Sequence, residues 1–133
     1  MTKTVFHLAI PCLDLDQTKE FYVDQLGCRL ARRYDDRITL QFFENYQIVC
    51  HLSDESEVPD EVKMYPRHFG MTFQEKFEFD SLHDVAVKKN LPFFRNKFVR
   101  FEGMKEEHHT FFLIDPAKNL LEFKYYFEPE MIY

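Results

Sequence analysis

One order of elements is written twice along this chain, and that repetition constrains its fold more than any single motif. In the first half, Val5–Ile10 is a short apolar, β-branched run that Pro11 should end, which predicts a strand. Asp14, with Gln17 three residues on, has the spacing of a capping box, so a helix is expected over Leu15–Leu26. Its inner face would carry Thr18, Phe21, Tyr22 and Gln25 or Leu26, with Gly27 as a left-handed stop. Strands are expected at Arg29–Tyr34, Ile38–Phe43 and Gln47–Leu52, separated by breaks short enough for hairpins. Residues 54–65 are acidic, contain Pro59 and read as a linker with a helical turn over Asp60–Met64.

The second half repeats the order. A strand over Arg67–Phe73 precedes a helix over Phe79–Asn90 capped by Asp80 or Ser81. Strands then follow at Phe93–Arg95, at Val99–Glu102 or over a longer irregular stretch, at His109–Ile114 and at Leu121–Tyr126. Asp115–Asn119 has turn composition. The expected fold class is therefore α+β: two βαβββ modules, 1–53 and 66–133, in a pseudo-two-fold arrangement within one domain.

A chain of 133 residues with 45% hydrophobic content can build a sizeable core. The 16 Phe and 7 Tyr are mostly accounted for by core packing, although so many rings can also line a pocket. A net charge of −6, with no run of Lys and Arg, argues against a nucleic-acid partner. No stretch approaches a membrane span and the N-terminus lacks signal-peptide architecture. Cys12, Cys28 and Cys50 form no CxxC, and free thiols in a reducing cytoplasm are the simplest reading.

The repeat gives four residues equivalent places. His7 and His68 lie on the first strands of the two modules, and His51 and Glu122 on the last strands. Strand alternation sets His7 opposite Phe6 and Leu8, and Glu122 opposite Leu121 and Phe123. A carboxylate inside so apolar a strand needs a partner, either a metal ion or an Arg or Lys. Two His and one carboxylate leave open coordination positions and suit non-haem Fe(II). Cys50 beside His51 suggests a thiol nucleophile, but alternation turns the two to opposite faces. His108-His109 beside Glu106-Glu107 resembles a second metal cluster, and surface turn is the simpler reading. His83 reads as a surface or capping residue.

The segments FHLAIPCLDLDQTKEFYVDQLGC (6–28), QIVCHL (47–52), RHFGMTF (67–73) and FFLIDPAKNLLEFKYY (111–126) resemble the vicinal oxygen chelate superfamily of glyoxalase I, extradiol dioxygenases and bleomycin-resistance proteins. The resemblance spans nearly the whole chain. It implies a curved sheet around a divalent metal held by His7, His68 and Glu122, with Fe(II) favoured and Zn, Ni, Co or Mn as alternatives. Where glyoxalase I enzymes carry a Glu or Gln ligand on the fourth strand, this chain has His51, which resembles the acid/base His of extradiol enzymes. The set is most similar to small predicted extradiol-type dioxygenases acting on a vicinal diol or catechol.

Two departures stand beside it. Phe111 and Phe112 occupy the region where extradiol enzymes carry a Tyr, the nearest polar residues being His108, His109 and Thr110. Arg67, Arg95, Lys97 and Arg100 form no pattern that identifies a glutathione site. Phe42, Phe69, Arg100, Phe101, His109 and Phe112 are the candidate pocket residues. The alternatives are a Lewis-acid lyase or isomerase with His51 as fourth ligand, and a resistance-type protein that sequesters a small molecule. A homodimer is the assembly the resemblance implies.

Overall fold

The computed structural model describes residues 3–133, and the described chain forms two compact units. Unit one runs to Val62 and adds Pro116–Asn119, while unit two holds Lys63–Asp115 and Leu120–Tyr133. The Pro116–Asn119 turn joins unit one, where the Asn119 amide donates to the Pro11 carbonyl at 3.0 Å and Ala117 is buried.

Unit one contains β1 (Phe6–Cys12), α1 (Leu15–Lys19), β2 (Arg29–Arg33), β3 (Arg37–Phe42) and β4 (Tyr46–Leu52). Its sheet has the order β1-β4-β3-β2, with β1 parallel to β4 and the other pairs antiparallel. Pro11 does not end β1, as expected from its ring, because β1 is an edge strand where a missing N–H leaves no ladder bond unmade. Asp14 caps α1 by accepting from the Gln17 N–H at 2.9 Å. The helix then widens over Glu20–Gln25, where the Leu26 N–H reaches the Phe21 carbonyl. Gly27 ends it at φ +93°, and the Cys28 N–H donates back to Tyr22 at 2.8 Å. Phe21, Tyr22 and Leu26 are buried, as are Ile10, Cys12, Ile38, Leu40, Phe42, Ile48 and Cys50. Each such large apolar side chain contributes about 1.5–3 kcal/mol by leaving water.

Unit two contains β5 (Phe69–Phe73), α2 (Lys76–Lys88), β6 (Phe93–Arg100), β7 (His108–Ile114) and β8 (Leu120–Tyr126), in the sheet order β5-β8-β7-β6. Again the first and last strands pair in parallel. Its core is aromatic: Phe111 lies 5.4 Å from both Phe79 and Phe123, and Phe73 packs on Phe79 and Phe123. α2 begins a turn earlier than expected, with Glu75 at its N-cap and no side-chain cap bond, so Asp80 and Ser81 lie inside it. β6 is one strand whose register shifts twice, in place of two short pieces. Among the described residues of the 54–65 stretch, the helical turn is Glu55–Glu57, capped by Asp54, in place of the expected Asp60–Met64. No described helix is long and apolar enough to cross a membrane.

Candidate metal centre

In unit two, His68 lies one residue ahead of β5 and not within a strand. Its Nδ1 is 2.6 Å from the Met64 carbonyl oxygen, so Nδ1–H is the donor and Nε2 of the neutral ring keeps its lone pair. That Nε2 stands 3.0 Å from Glu122 Oε1. Glu122 is buried, and the Thr110 hydroxyl donates to its other oxygen at 2.7 Å. Each carboxylate oxygen therefore has its own partner.

Two lone pairs 3.0 Å apart repel unless a positive charge joins them. A proton on Nε2 does this, and so does a cation bound by both atoms. An imidazole nitrogen and a carboxylate oxygen are both ligand types that a divalent cation takes. The donor chemistry therefore fits a divalent cation. Among the described residues no three His, Cys, Asp or Glu side chains gather as one cluster.

The surroundings are aromatic. Phe112 is buried, faces Glu122 across the β7–β8 register and meets the His68 ring edge-on at 5.4 Å. Tyr65 also approaches His68 edge-on, at 5.7 Å, with the Arg100 guanidinium 5.5 Å from its ring centre. On the same face of β7 as Thr110 and Phe112 lies His108. It is buried, its Nδ1 donates to the Glu106 carbonyl at 2.9 Å, and its ring lies 4.4 Å from Tyr126. Lys124 Nζ donates to the Tyr126 hydroxyl at 3.3 Å.

In unit one, His7 and Gln47 face each other across the β1–β4 register, with His7 Nδ1 2.6 Å from the Gln47 Oε1. His51 is exposed and opposite Pro11, four residues beyond Gln47, which is about 13 Å along the strand. Its expected equivalence with Glu122 does not hold. Extending the β5–β8 register by one residue sets His68 opposite Leu120, two before Glu122. The same count in unit one leads from Gln47 to Val49, which is buried. Val49, not His51, is the counterpart of Glu122.

Of the expected pocket residues, Phe112 adjoins the His68–Glu122 pair and Arg100 stands behind Tyr65. The others lie elsewhere. Phe42 shares the core face of β3 with Ile38 and Leu40. Phe69 shares the helix-side face of β5 with Phe73. Phe101 is exposed at φ +53°, its ring 6.0 Å from His108. His109 points to the side of β7 opposite Thr110, next to Phe127, and burial lowers its pKa.

Tyr65 escaped the sequence reading because it lies in a stretch with linker composition. Gln47 and the Met64 carbonyl escaped it because only strand register and chain path bring them to the imidazoles.

The model of the Glyoxalase/Bleomycin resistance protein/Dioxygenase superfamily matches residues 4–123. A solved glyoxalase/bleomycin resistance protein/dioxygenase from Alicyclobacillus acidocaldarius is 60% identical, with 97% of this chain and 96% of that chain covered and a TM-score of 0.92. The fold is also that of lactoylglutathione lyase from Agrobacterium tumefaciens (17% identity, 93% and 94% covered, TM-score 0.68). It is likewise that of the fosfomycin resistance protein FosX from Listeria monocytogenes (14% identity, 98% and 99% covered, TM-score 0.73). No curated protein matches the chain. With the family model matched along most of its length and the βαβββ order present twice, the chain belongs to the glyoxalase/bleomycin resistance protein/dioxygenase superfamily.

Proposed function

We propose that the protein is a metal-dependent enzyme acting on a small molecule with two adjacent oxygens, with extradiol-type dioxygenation of a catechol-like compound as its reaction. The observation that carries this reading is the convergence of His68 Nε2 and Glu122 Oε1, two lone-pair donors at 3.0 Å, each steadied by a second partner. His7 is proposed as the third donor, through Nε2. Val49 at the counterpart of Glu122 supports three protein ligands over four, which speaks for the dioxygenase over the glyoxalase-type reading. Two imidazoles and one carboxylate favour iron(II). When bound, the cation supplies Lewis acidity at the two substrate oxygens and, as iron, electrons for dioxygen.

The protein's own groups divide the remaining work. Thr110 holds the carboxylate oriented through Oε2. Phe112 keeps water from the face of His68. For the substrate hydroxyl proton the candidates are His51, to which the sequence reading assigns the acid/base role, and His108, whose Nδ1–H is committed to the Glu106 carbonyl and whose Nε2 can accept. Arg100 and Lys124 supply positive charge for an anionic substituent.

The expected result is oxygen uptake by iron-loaded protein with at least one of a broad catechol panel, abolished in His68→Ala and Glu122→Ala. No uptake with any catechol, in protein shown to hold stoichiometric iron, rules out the dioxygenase and leaves Lewis-acid lyase or isomerase chemistry. Light scattering on the same preparation checks the homodimer that belongs to this proposal.

A further inference from the structure

His7 is exposed, and no core packing restrains its ring. A free imidazole in water exchanges its proton between the two nitrogens, and only the form with a bare Nε2 can offer that atom to a cation. Gln47 decides between the two forms. Its Oε1 lies 2.6 Å from His7 Nδ1, and an amide oxygen accepts only, so the proton is held on Nδ1.

Gln47 is free to do this. It lines a cavity of about 180 Å³ on unit one's sheet together with Val5, Thr39, Gln41 and Tyr46. The other glutamine there, Gln41, is already committed: it accepts from Arg29 Nε at 2.8 Å and donates to the Glu44 carbonyl at 2.7 Å. The Gln47 amide thus borders open space on one side and is held to His7 by its Oε1 on the other. We propose that Gln47 is a positioning residue that fixes the tautomer of His7 and keeps Nε2 available as a ligand atom. The ligand role rests on the function proposed above; the tautomer does not.

The test uses the full chain, metal-free, with ¹⁵N-labelled histidine, at a pH where the imidazole is neutral. Long-range ¹H–¹⁵N spectra report the protonated nitrogen, and chelator competition with zinc alone reports affinity. The wild type is expected to show Nδ1–H at His7. Gln47→Leu is expected to mix the tautomers and weaken zinc binding about 10–100-fold. Gln47→Glu, which restores an acceptor oxygen, should recover both. Nδ1–H persisting in Gln47→Leu, or Nε2–H in the wild type from an amide turned the other way, overturns the proposal. If the tautomers change as expected while the wild type binds no zinc, the cation reading fails and the positioning of His7 stands.

Discussion

At the scale of single residues, the carboxylate of Glu122 shows how a buried charge is tolerated. It is 7% exposed, yet both oxygens have partners, His68 on one side and Thr110 on the other. Thr110 is itself fully buried and sits diagonally across the β7–β8 ladder from Glu122. Thr110→Val keeps the shape and deletes the donor, so Oε2 is left buried without a hydrogen bond. The expected loss is about 1–3 kcal/mol of stability, read by urea unfolding. A loss below about 0.5 kcal/mol would mean that water reaches Oε2 and that Thr110 does not orient the carboxylate. Glu122 stood out in the sequence because a carboxylate inside an apolar strand needs a partner, and His68 because it opens the second module's first strand segment. Thr110 was legible only as a polar residue in the right region, since its bond depends on a diagonal register no single strand reveals.

At the scale of elements, the order of strands and helices was readable because alternation and turn residues act locally. Gly27 after a capped helix is such a signal, and its φ of +93° confirms it. Pro11 misled because its consequence depends on whether a strand is at an edge, which is a property of the sheet. His51 misled for the same reason: equivalence by strand number ignored the register that puts Val49 opposite Ala9. Gly70 carries a constraint the sequence did not disclose. A Cβ there would lie 1.6 Å from the Glu122 backbone oxygen across the β5–β8 pair, whereas one at Gly27 would meet nothing within 4 Å. The two Gly→Ala changes should therefore separate. Gly27→Ala is expected to cost about 1–2 kcal/mol through its positive φ alone. Gly70→Ala forces β5 off β8 at the carboxylate and should exceed the roughly 1–3 kcal/mol of ordinary overpacking. Equal losses in denaturant titration would show that β5 does not approach β8 this closely.

At the scale of the whole molecule, the shifted groups predict how stability follows pH. Burial pushes the pKa of His109 down, so on acidification the unfolded chain takes up that proton before the native one does. Stability contributed by the neutral ring is present above the ordinary histidine value of 6.5 and declines as pH falls through it toward the lower native value. Asp80, held down by the Lys76 ammonium at 2.7 Å, and Asp54, held down by Ser56, act the same way further down. Their stabilisation is present above 3.8 and is lost as pH falls through their lowered native values. Cys28 sets the alkaline side. Burial raises its thiol from 9.0 to about 12, so the native chain retains a proton that the unfolded chain sheds. That contribution is complete below 9.0 and declines as pH rises from there toward 12. The melting temperature should accordingly peak between the histidine and thiol windows, with an acid limb in two stages. His109→Gln should remove the first acid stage, and Cys28→Val should flatten the alkaline limb without moving the acid one. Thermal melts across the range, wild type beside both variants, check this. An unchanged first stage in His109→Gln would mean that the ring is hydrated in the native state, and that another histidine carries the acid response.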